Sequence, residues 1–141
     1  MKRINITIQL LALLGLLTAA VAPVRAAELC SKSTVRGAYG SVLTGTIPGV
    51  GPFATVAIVT FDGNGGWSYT ESGNFNGSPI PKQTRTGNYT VAANCSGSSS
   101  DSGGATQDFV IVNGGNEIFM VGTAPGAVFT LSMKRLSNSD D

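Results

Sequence analysis

The chain has no histidine and only two cysteines, Cys30 and Cys95. Without histidine there is no Ser-His-Asp arrangement, no imidazole to activate a cysteine nucleophile, and too few ligands for a zinc site. Charge is scarce as well, at 12% of residues, and beyond residue 26 the one adjacent basic pair is Lys134-Arg135. Neutralising several phosphates takes clustered cations, which argues against nucleic acid as a partner. "GNGG" (Gly63 to Gly66) is no phosphate loop, because neither a Lys nor a helix signal follows it. Helical periodicity is missing too: no window sustains an apolar face at 3.6-residue spacing. No cofactor is implied by what remains.

The one long apolar run stands at the start. Lys2 and Arg3 precede "INITIQLLALLGLLTAAVA", and small residues around Ala26 offer a cleavage point. That three-part order is the pattern of a secretory signal peptide over residues 1–26. A membrane anchor is the competing reading, but no positive stop-transfer cluster follows the run. A lipid-anchored Cys30 is rejected because the bulky Leu29 precedes it. Cleavage removes three of the nine basic residues and none of the eight acidic ones, leaving six against eight and a net charge of −2. Residues 27–141 then form one domain of ordinary size, ending in a polar "SNSDD" tail expected to be disordered. The expected location is secreted, periplasmic or extracellular, with no membrane span in the mature chain.

Export bears on the cysteines. Two cysteines in a small oxidised protein normally pair, so Cys30 and Cys95 are expected to form a disulfide rather than a reactive or metal-binding site. In the chain-entropy model, closing a loop of that length contributes about 4 kcal/mol.

What is present is glycine, eighteen of the nineteen lying beyond the leader, and short branched or aromatic segments between turn signals. Strands are predicted at Val35–Thr44, Ala54–Phe61, Gly66–Phe75, Thr84–Ala92, Ser96–Ser102, Gln107–Val112, Glu117–Thr123 and Val128–Arg135. "DGNGG" (Asp62 to Gly66) and "NGGN" (Asn113 to Asn116) carry hairpin chemistry that tolerates positive φ. "APG" supplies a further turn and "NGSPIPK" (Asn76 to Lys82) a longer loop. Eight strands in sequence order make an antiparallel meander, and closure removes its two open edges. The expected fold is therefore an eight-stranded antiparallel up-and-down barrel, with a two-sheet β-sandwich as the alternative. The second strand, "ATVAIVTF", is apolar on both faces, which suggests an outer cover from a partner chain or a loop.

The order "STVRGAYGSVLTG", "TVAIVTFDGNGGWS", "TGNYTVAANCSG" and "DFVIVNGGNEIFMVGTAPGAVFT" resembles a group of small secreted bacterial proteins of unassigned activity. The resemblance implies a calycin-type barrel, similar to lipocalins and avidins. Avidin-type biotin recognition does not carry over, because that site uses several tryptophans and this chain has only Trp67.

Candidate site residues are few. Trp67, Tyr69 and Glu71 share one face of a strand: turned inward they line a cavity, turned outward Glu71 is a surface acid, which is the commoner place for one. Arg85 shares parity with Tyr89 and Val91 and is either a buried partner for Glu71 or a residue of the rim. Ile47 and Phe53 make the loop "TIPGVGPF" unusually apolar, which suits a lid, an association surface or a plug in the barrel end. Asp62 reads as a turn former, and Asp101 and Asp108 as solvated.

Three functional classes follow. The first is a non-enzymatic binding module for a small apolar or aromatic ligand, or for a partner protein. The second is a structural, self-associating extracellular protein, a homo-oligomer. The third is a cofactor-free enzyme such as an isomerase or cyclase, for which no catalytic residue can be named.

Overall fold

The computed structural model describes residues 29–137. The expected leader with its cleavage point, and the polar tail, fall outside the described residues.

Eight strands follow one another: β1 (Gly37–Ile47), β2 (Gly51–Phe61), β3 (Gly66–Phe75), β4 (Ser78–Val91), β5 (Ser96–Asp101), β6 (Thr106–Val112), β7 (Glu117–Gly122) and β8 (Val128–Arg135). Each pairs with the next, and β1 also pairs antiparallel with β8 from Tyr39↔Arg135 to Thr46↔Val128. The sheet is therefore a closed up-and-down barrel, and the sandwich alternative is set aside. Closure satisfies the hydrogen-bonding groups that open edges would expose.

Burial alternates along the strands as the pleat requires. In β2, Phe53, Thr55, Val59 and Phe61 are buried, while Ala54, Val56, Ile58 and Thr60 are exposed. Glycines at inward positions make room for aromatic neighbours. Gly87 stands opposite Trp67 in the β3–β4 register, and a Cβ there would collide with the indole Nε1 and with the Ser100 carbonyl. A flat ring fits only because that side chain is missing.

Three boundaries differ from the sequence expectation. Val35 is not strand: it is fully buried in a 3-10 turn, Lys32–Val35, before β1. The expected loop Thr46–Phe53 is mostly strand, since β1 runs to Ile47 and β2 starts at Gly51. The expected loop over "NGSPIPK" contracts to a turn at Asn76-Gly77, where φ is positive at both residues. Its prolines then lie inside β4. Pro79 is paired with Asn74 on a stretch of β4 that has no pairing to β5, which begins at Gly87, and beyond it the β3–β4 register shifts between Glu71 and Gly73, pairing Glu71 with Gln83 and Gly73 with Ile80. Pro81 falls in that bulge, where no ladder N–H is needed.

The apolar core gathers at one end of the barrel, around Tyr39, Phe61, Trp67, Tyr89, Ile118 and Met133. The 3-10 turn plugs this end. Tyr39 Oη donates to the Gly115 carbonyl at 2.6 Å, and Tyr89 Oη to the Lys32 carbonyl at 3.0 Å. The Arg135 guanidinium donates to the carbonyls of Thr34 (3.0 Å), Gly115 (2.9 Å) and Arg36, and its Cζ lies 4.8 Å from the Tyr39 ring centroid. Cys30 and Cys95 are joined by a disulfide, with a Cα–Cα distance of 4.9 Å, that fastens the plug to the β4–β5 turn.

The outside of β2 is uncovered by any element of the described chain: Val56 and Ile58 are each 58% exposed, beside Val42. Val110, Phe119 and Val121 make a second exposed apolar strip on β6 and β7.

Candidate functional site

The half of the barrel away from the plug is not filled by side chains. It holds a cavity of about 240 Å³ beneath the hairpin turns β1–β2, β3–β4, β5–β6 and β7–β8. Its size follows from the inward sequence positions at that end. Ser41, Thr55, Ala57, Ala105 and Ala127 are small and leave volume that the larger core residues fill at the plugged end.

Aromatic rings form the mouth. Phe53 and Phe75 face each other across β2–β3 and stack with centroids 4.9 Å apart and planes 8° from parallel. Phe129 meets Phe53 edge-on at 6.4 Å. Deeper, Trp67 and Tyr69 form one wall, with ring centroids 5.2 Å apart. The indole Nε1 donates to the Ser100 carbonyl at 3.1 Å, which fixes that ring.

Polar groups lie within this apolar shell. Glu71 is only 8% exposed, and one of its oxygens accepts from Gln83 Nε2 at 2.8 Å. Gln107 lines the cavity nearby and accepts from Ser99 Oγ at 2.8 Å. Asp101 accepts from Tyr69 Oη at 2.8 Å and from the backbone N–H groups of Gly103 and Ala105. Burial first, and then the bond to Asp101, push the Tyr69 hydroxyl pKa well above its ordinary value; the charges of Asp101 and Glu71 raise it further and Arg85 lowers it. Tyr69 is thus held as a neutral donor committed to Asp101. The Arg85 guanidinium lies against Gly103 in the β5–β6 turn, filling the place where a Cβ would stand. The hydroxyl of Thr55, 4% exposed, has no hydrogen-bond partner.

Six of the seven residues singled out from the sequence line this cavity: Trp67, Tyr69, Glu71, Arg85, Ile47 and Phe53. Glu71 faces inward, against the commoner expectation for an acid. Ile47 and Phe53 point into the mouth as strand residues, so they form no exposed loop surface. Tyr89 stands apart: it is four residues beyond Arg85 on β4, buried in the plugged end against Phe61. Asp101 is no solvated flank, since it organises the β5–β6 turn. Thr55, Phe75, Phe129 and Gln107 went unnoticed from sequence. The period-two alternation of β2 and β8 marks Thr55 and Phe129 as facing the same way as Phe53 and Leu131, but only closure sets them around one space.

No family model matches the chain, and no curated protein is similar to it in sequence. Among solved structures it is similar to a redesigned beta barrel, with a TM-score of 0.54 and 13% identity over 79% of this chain and all of the other. It is also similar to a de novo designed fluorescence-activating beta barrel, with a TM-score of 0.47 and 12% identity over 77% of this chain and all of the other. At such identities the likeness concerns the fold alone.

Proposed function

We propose that this is a secreted, non-enzymatic barrel of the lipocalin and avidin kind that holds a small aromatic ligand in its interior. The cavity supports this: a protein of this size ordinarily packs its interior to crystal-like density, and here about 240 Å³ is left open under a collar of three phenylalanines. A dry cavity of about 150 Å³ accommodates benzene, and drug-sized ligands take about 300–1,000 Å³. The volume therefore suits one or two fused rings. The disulfide and the signal-like leader support export.

Saturation-transfer NMR and calorimetry with monocyclic and bicyclic aromatics test the proposal. Saturable one-to-one binding is expected, lost when Ala127→Phe narrows the mouth while circular dichroism shows the barrel intact. If no probe saturates, and native mass spectrometry of freshly purified protein finds no carried ligand, the proposal fails.

Self-association is a second reading, favoured by the two exposed apolar strips on β1–β2 and β6–β7. They are separate patches of one surface, a geometry that permits head-to-tail contacts. Light scattering at rising concentration distinguishes a monomer from such an assembly.

A further inference from the structure

Within that cavity the polar groups do not balance. Glu71 is largely buried at 8% exposure, its one hydrogen bond among the described residues comes from a neutral amide, Gln83, and its other oxygen is left to the cavity it lines. The one ion pair among the described residues is on the outside, between Lys134 and Glu117. On the inward face of β4 the nearest cation is Arg85, two pairs from Glu71, yet it makes no ion pair within 4 Å. Its guanidinium is turned to the β5–β6 turn, where it fills the place a Cβ on Gly103 would take. Arg85 is thus turned to the rim without an ion pair to either carboxylate, and Glu71 has no cationic partner among the described residues. A carboxylate facing an apolar cavity favours a ligand that brings a cation and a donor to it.

Thr55 is the second, independent observation. Its hydroxyl is buried, lines the cavity and has no partner, although buried polar groups are nearly always satisfied. Thr55 pairs with Gly73 and Ala57 with Glu71, so Thr55 and Glu71 are diagonal neighbours on one inward face. Such neighbours sit about 7–8 Å apart, close enough for one small group to reach both. Around them stand Trp67, Tyr69, Phe53 and Phe75, whose ring faces are electronegative and attract cations.

We propose, on the premise that the cavity is a ligand site, that the ligand is a small aromatic amine. Its ring enters the phenylalanine collar, and its protonated nitrogen donates to the free oxygen of Glu71 and to Thr55 Oγ1. The ammonium supplies the missing counter-charge and satisfies the orphaned hydroxyl together. Neither a neutral arene nor an aromatic acid does both, and the acid would be repelled by Glu71.

Three probes of nearly equal shape test this: phenethylamine, propylbenzene and 3-phenylpropionate, titrated by calorimetry and ligand-observed NMR at pH 7. Phenethylamine is expected to bind at least about tenfold more tightly than propylbenzene, a difference of about 1.4 kcal/mol. In Glu71→Gln, which can still accept from Gln83, the amine's advantage should shrink to within about twofold while propylbenzene binding is kept. Thr55→Val should weaken the amine several-fold. Equal affinity for the three probes overturns the amine assignment and leaves the cavity reading standing. Preference for 3-phenylpropionate also overturns it, making Arg85 the selecting charge. If none of the three binds, both fall.

Discussion

The Asp62 carboxylate shows how much one side chain can organise. Its Oδ1 accepts from the N–H groups of Asn64 (2.7 Å), Gly65 (2.9 Å) and Gly66 (2.9 Å), closing the β2–β3 turn. Those bonds, the one from Asn64 foremost, favour the ionised form and hold its pKa below the ordinary 3.8. A depressed carboxylate contributes stability that is present above its unfolded pKa and is lost as pH falls through the folded one. The window therefore lies below pH 3.8. On acidification the amide resonances of Asn64, Gly65 and Gly66 should move together with a midpoint under 3.8; a midpoint at or above it would show that the three bonds do not form. The turn was legible from "DGNGG", because Asp before Gly and Asn carries its own hydrogen-bonding chemistry. Thr55 and Asp101 were not legible, because their roles depend on residues reached only through the barrel.

Among the elements, the 3-10 turn Lys32–Val35 matters most, because it separates a packed end from an open one. Its attachment runs through Arg135 at the end of β8, which gathers the carbonyls of Thr34, Arg36 and Gly115, the last shared with Tyr39 Oη. Planarity lets one guanidinium do this where an ammonium, a point charge, does not. Arg135→Leu should cost on the order of 2–3 kcal/mol in chemical denaturation, since charge-assisted hydrogen bonds each contribute about 1.5–3 kcal/mol and Arg135 is partly exposed. Arg135→Lys should recover less than half of the loss. Hydrogen exchange should quicken at the Thr34 and Arg36 amides, which close the turn, and stay unchanged in β3. A loss under about 0.5 kcal/mol for Arg135→Leu would mean the plug holds without it. Sequence patterning read Val35 as strand because an isolated valine beside "GAYG" looks extended; only the space under Tyr39 makes it a plug.

For the whole molecule, the disulfide and the cavity occupy opposite ends, so they should be separable. Cys95→Ser should lose about 2–5 kcal/mol of stability, as small secreted domains do without a native bridge. Affinity for an aromatic probe, at a temperature where the variant is folded, should stay within about twofold. Non-reducing peptide mapping of the unaltered protein should find Cys30 joined to Cys95. Free thiols there, or probe binding lost along with the bridge, would contradict this division of the barrel.

By itself the sequence determined the number and order of the strands, their antiparallel run and the cysteine pair. Each of these follows from local signals: alternation of period two, Gly and Asn at turns, and a count of two thiols. It also placed Trp67, Tyr69 and Glu71 on one face, since parity within a strand is local. Which face pointed inward, however, was decided by closure of β1 on β8, because a barrel has one interior and every strand must present the same side to it. Tertiary structure alone decided that the "SPIPK" prolines stay in a strand, Pro81 in a bulge that removes the need for an N–H and Pro79 where β4 has no pairing to β5. It also decided that Tyr89 belongs to the packed end while Arg85, of the same parity, reaches the rim. Position along the barrel axis depends on how far neighbouring strands are staggered, and that stagger is a property of the closed sheet rather than of any one segment.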